Sequence, residues 1–102
     1  MNANKLNTML NDLNQLKDEL TLKANLGVAQ AQDELKKLEP IYEELKAKTE
    51  KIADVAGDTA SELKAAAELG IDAESSEDVE TALELAGEQL KNAYEKVKHI
   101  LS

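Results

Sequence analysis

Leu20-Thr21-Leu22-Lys23-Ala24-Asn25-Leu26-Gly27-Val28-Ala29-Gln30-Ala31 is the stretch on which the fold turns. Ahead of it, Leu6, Met9, Leu13, Leu16 and Leu20 repeat at alternating steps of three and four, the spacing of a heptad seam. A strict continuation would bring Lys23 and Gly27 into the seam. Two steps of four, through Ala24 to Val28, bypass both. Ala31, Leu35, Leu38, Tyr42, Leu45, Thr49, Ile52 and Ala56 then resume the alternation. A four-residue insertion of this kind is a stutter, which unwinds a coiled coil locally without ending the helix. The pattern therefore predicts one helix over about residues 4–56, roughly 80 Å long at 1.5 Å per residue.

Pro40 interrupts that expectation, because an interior proline removes a backbone hydrogen bond and costs about 3 kcal/mol. It either kinks the helix or ends it. The residues before it, Leu35 to Glu39, include no Gly, Asn or Asp to make a turn, and the seam keeps its phase from Leu38 to Tyr42. Both favour a kink. Further on, Gly57-Asp58 precedes Thr59-Ala60-Ser61-Glu62, which fits a capping box and predicts a short helix over about 60–69. Gly70 stops it, and 70–76 reads as a loop. Ser75 or Ser76 can cap a final helix over about 77–101, with Glu77, Asp78 and Glu80 in its first turn and Lys96, Lys98 and His99 near its end, where the helix dipole favours each sign.

That last helix carries Val79, Leu83, Ala86, Leu90 and Val97 on one stripe, the expected packing face against the preceding helical segment. The expected fold is all-α: a long kinked helix with a shorter antiparallel C-terminal helix, packed as a coiled coil or helical bundle in a single domain. A first helix of that length outruns the last one. Leu6, Met9, Leu13, Leu16 and Leu20 would then stay uncovered within one chain, a stripe that soluble monomers rarely expose. They are the expected self-association seam, and a dimer is the simplest closure.

Composition limits function more than it reveals it. The 102 residues include no Trp, Phe, Cys or Arg, two Tyr and one Pro, so an aliphatic seam replaces an aromatic core. Without Cys there are no disulfides, thiolate nucleophiles or thiolate metal ligands. Twelve Lys against 21 acidic residues give a net charge of −9, which repels a nucleic-acid backbone, and no Arg fork is present to read phosphate or guanine. Eight acids and no Lys lie between Glu68 and Glu88, a solvated acidic stretch open to a basic partner surface. No signal peptide or apolar run long enough to cross a bilayer is visible, so the cytoplasm is the default compartment.

Chemistry-bearing patterns are absent. His99 is the single histidine, with Glu95 one turn before it, and a metal site needs more ligands than that pair supplies. The carboxylates of 72–80 lack the residue order of a Ca²⁺ loop. Gly27, Gly57, Gly70 and Gly87 stand apart and form no phosphate cradle. Tyr42 and Tyr94 lie on or beside the seams and read as core residues with a solvent-reaching hydroxyl. No catalytic residue, cofactor or metal is expected, and the chain is read as non-enzymatic.

Several stretches resemble a family of small bacterial helical proteins. The likeness lies in Leu16-Lys17-Asp18-Glu19-Leu20, Lys23, Leu26-Gly27, Ala29, Ala31, Asp33-Glu34 and Leu38-Glu39, and again in Gly87-Glu88, Leu90-Lys91 and Tyr94. Members are described as coiled-coil or apolipoprotein-like and have no established activity. This chain departs from them in lacking an aromatic residue between Glu34 and Leu38 and in carrying Pro40. The resemblance implies helices and supplies no function. Together these features predict a non-catalytic coiled-coil interaction or structural module whose partner is itself, with a further protein partner open. The alternative is reversible binding to lipid surfaces by amphipathic helices, against which the net charge and the missing Trp and Phe both argue.

Overall fold

The computed structural model describes residues 3–102. Among them all regular structure is α-helical, in four helices: α1 (Ala3–Ala24), α2 (Ala29–Asp54), α3 (Thr59–Glu68) and α4 (Ser76–Leu101). The helix expected over 4–56 is therefore two helices, and the break falls in the quoted stretch rather than at Pro40. The amides of Gly27 and Val28 both turn back onto the Ala24 carbonyl, at 3.1 Å each. Gly27 has φ +120°, a backbone conformation that a Cβ would strain. Val28 is then non-helical, at φ −98° and ψ 88°, and Ala29 opens α2. Gln32 Nε2 donates to the Ala24 carbonyl at 2.8 Å, tying the first turn of α2 to the last of α1.

The stutter and the turn are the same feature. Ala24 is the last buried residue of α1 and Ala31 the first of α2. Their seven-residue separation is close to two helical turns, so the apolar spacing looks alike whether the chain runs on or doubles back. Doubling back wins because it covers the stripe. Leu6, Leu13 and Leu20 are at most 3% exposed, and each buried leucine is worth about 1.5–3 kcal/mol. Met9 and Leu16 are half-buried against the same core. The long uncovered seam that made a second copy necessary does not exist in this fold.

α2 runs through Pro40 without interruption. The proline is exposed, so the Lys36 carbonyl that loses its amide donor opens toward water. The α2–α3 turn repeats the design of the first. Gly57 has φ +100°, Asp58 is extended, and a side chain of the following helix, Glu62, reaches back to the turn. The cap is Asp58, one residue before the expected Thr59. Its carboxylate accepts from the Ser61 hydroxyl at 2.9 Å.

α1 and α4 run in the same direction: Lys5 pairs with Glu84 at 2.9 Å and, further along both helices, Met9 lies against Gly87. α1 and α2 form a hairpin in which the Lys17 ammonium sits 4.4 Å from the centre of the Tyr42 ring. The core lies between these three long helices and extends under α3 through Ala65 and Ala66. On α4, Val79, Leu83, Leu90 and Val97 are buried, but Ala86 is exposed. Gly87 takes its place in the core, because α4 is covered on two sides and its buried face is wider than one seam.

Candidate functional site

Among the described residues, the least exposed carboxylate is that of Glu62, at 1%. Two helix starts converge on it. One carboxylate oxygen accepts the Gly57 amide at 2.9 Å, and the other accepts the Ser76 hydroxyl. The Ser76 hydrogen bond holds the carboxyl below its usual range. Burial opposes that, and the Gly57 amide adds to it. The adjoining α4 start is capped separately, with Ser75 Oγ accepting from the Asp78 amide and Asp78 accepting from the Glu74 amide, both at 3.1 Å. Both oxygens of Glu62 are engaged, one in holding the α2–α3 turn and the other in joining α3 to α4, which is a structural use of the charge.

Two other buried polar groups have no such support. The Thr49 and Tyr94 hydroxyls are enclosed, and neither meets a hydrogen-bond partner among the described residues. Tyr94 is fully buried rather than reaching solvent, and burial pushes its phenol up to about 12. Burial also raises Tyr42, to a lesser degree. Among the described residues no three His, Asp or Glu side chains come together to hold a metal ion, and no helix is long and apolar enough to cross a membrane. His99 and Glu95 are both exposed.

Of the shallow grooves between the helices, the two that border α4 have aliphatic floors and are candidate interaction sites. Between α1 and α4, Met9, Leu13 and Leu16 form a floor beside Gly87, rimmed by Lys5 and Glu84. Between α2 and α4, Leu45, Leu83 and Ile71 form a floor with Ala82 and Ala86, and Ile41 stands at its edge. Ile41 is 49% exposed and Leu85, one residue before Ala86, is 54% exposed. Of the expected self-association seam, only Met9 and Leu16 reach a groove from the half-buried side. Leu10 and Gly87 belong to the core although the heptad reading leaves them out, whereas Tyr94 is in the core as its place beside the seam predicts. Leu10 carries a legible signal, since an apolar residue four after Leu6 widens the stripe beyond the narrow coiled-coil seam.

Compared with protein-family models, curated proteins and solved structures, the chain matches none. The resemblance to small bacterial helical proteins therefore stands on its quoted motifs alone.

Proposed function

We propose that the chain is a non-catalytic helical module that associates with a second copy of itself through the face formed by α2 and α4. The observation that carries this is Ile41, a large apolar side chain 49% exposed at the edge of the apolar groove between α2 and α4. Soluble proteins that keep such a face tend to cover it. The groove is walled by Ile41, Leu45 and Lys48 on one side and by Ala82, Leu83 and Ala86 on the other, which supports α4 lying antiparallel to α2. Two helices running in opposite directions present a face that can meet its own copy about a twofold axis. The interface differs from the Leu6-to-Leu20 seam, whose buried members are consumed by the fold.

Non-catalytic action agrees with the commitment of Glu62 to two helix starts and with the isolation of His99. Light scattering tests the assembly. The expected mass is twice the 11.1 kDa of one chain, falling to one chain in the Ile41→Asp, Leu85→Asp double variant. A mass of one chain for the unsubstituted protein at high micromolar concentration overturns it.

A further inference from the structure

The large exposed apolar side chains fall into two groups. Ile41 and Leu85 lie on the side of the bundle, whereas Leu22 and Leu26, 70% and 87% exposed, lie at the end where α1 passes into α2. Because α4 runs alongside α1 in the same direction, its last turn reaches that end too, bringing half-buried Ile100 and Leu101. The charge at this end is unlike that of the rest of the chain. Residues 20–32 and 96–102 contain Lys23, Lys96 and Lys98 and no acidic side chain, although the chain as a whole is −9. All three lysines are exposed, and none is held in an ion pair among the described residues. The nearest carboxylates in sequence, Glu19, Asp33 and Glu95, begin just outside.

We propose that this end of the bundle docks on an anionic lipid surface, with Leu22 and Leu26 entering the headgroup–acyl boundary and Lys23, Lys96 and Lys98 facing lipid phosphates. Exposed leucine beside lysine, with no carboxylate between, is the chemistry that such an interface rewards. The bundle docks folded and upright, since the apolar faces of its helices are spent on the core. Upright docking also reduces the objection from net charge to the few carboxylates at Glu19, Asp33 and Glu95. The molecule is 48 Å long, and the Debye length at physiological salt is about 8 Å. The carboxylates of the far end are therefore screened from the bilayer. A second copy suits this end poorly, because Lys23, Lys96 and Lys98 would meet their own like charges across the contact. A lipid surface needs no complementary shape.

The test is co-sedimentation with phosphatidylcholine vesicles containing about a third phosphatidylserine, at physiological salt. Binding is expected there and is expected to fall about tenfold or more on pure phosphatidylcholine. The Leu22→Asp, Leu26→Asp variant is expected to lose about tenfold or more while keeping its helicity and melting temperature, because both positions are exposed. Lys23→Glu with Lys98→Glu is expected to weaken binding comparably, and Lys64→Glu on α3, at the opposite end, to leave it unchanged. Failure to sediment with anionic vesicles overturns the proposal. So does undiminished binding by the Leu22, Leu26 variant, or a fall in solution mass in that variant, which would assign the end to self-association. Self-association through α2 and α4 is read from mass without lipid, so either proposal can fail alone.

Discussion

The thioether of Met9 occupies the space in which a side chain at position 87 would begin. Glycine inside a helix is destabilising by about 0.5–1 kcal/mol relative to alanine, so Gly87 weakens α4 locally and in return lets α1 approach its backbone. The atoms in the way are the flexible end of half-buried Met9, so Gly87→Ala is expected to change stability by less than about 0.5 kcal/mol, the displacement of Met9 offsetting the gain in helix propensity. In a Met9→Ala background the same substitution should stabilise by about 0.5–1 kcal/mol. Urea denaturation of the unsubstituted protein and the three variants checks this, and an equal effect in both backgrounds refutes the shared-volume explanation.

Glu62 sets part of the acid limb of stability. Its carboxyl is held below the ordinary range in the fold, chiefly by the Ser76 hydroxyl. The folded state thus binds its proton less readily than the unfolded chain does. The resulting stabilisation is present above the ordinary carboxylate range and is lost as pH falls through the depressed value. Glu62→Gln should cost about 1–3 kcal/mol near neutrality and flatten the loss of stability on acidification. Urea midpoints measured from about pH 6 down to about pH 3 would show parallel curves if Glu62 contributed nothing.

The two enclosed hydroxyls without partners predict gains on removal. Thr49→Val and Tyr94→Phe each delete a buried polar atom while keeping most of the shape, and each should stabilise by about 1 kcal/mol. Tyr94 adds an alkaline signature. Its phenol is pushed up to about 12 by burial, so Tyr94 leaves stability independent of pH below the ordinary tyrosine range and costs stability as pH rises from that range to the folded value. Phenolate absorbance should report that step only together with unfolding, and Tyr94→Phe should remove it.

Pro40 is expected to be the cheapest route to a more stable protein. It lies exposed inside α2, where it packs little and leaves the Lys36 carbonyl without an amide donor. Pro40→Ala should raise stability by up to about 3 kcal/mol without changing the oligomeric mass. A loss of stability would mean that the proline sets a bend on which the core depends.

The helical class and the final helix were readable because both ends of α4 carry their own signals, Ser75 at the start and Lys98 and His99 at the end, around a regular apolar stripe. The α1–α2 turn was not readable from that periodicity, since Ala24 and Ala31 keep one phase in either geometry. Its local signs were Asn25 and Gly27, and what decided the matter was tertiary: burial of Leu6, Leu13 and Leu20 against helices distant in sequence. Gly87 reads as an isolated glycine in the sequence because its purpose depends on Met9, across a contact that no spacing within α4 reveals. The exposed end at Leu22 and Leu26 was hidden for the same reason, as it exists only once the chain has doubled back.

The side-by-side course of α1 and α4 also bears on how the chain must be born. α1 is complete at Ala24, whereas the helix that covers much of it ends at Leu101. At about 5–20 residues per second, ribosomal synthesis leaves α1 waiting roughly 4–15 s for that cover. During this interval α2 alone shields Leu6, Leu13 and Leu20, and the side of α1 that α4 will occupy stays wet. A chain released before α4 should therefore be prone to aggregate although it holds three of the four helices. A fragment ending at Asp72 that stays soluble and monomeric would show that the hairpin protects itself.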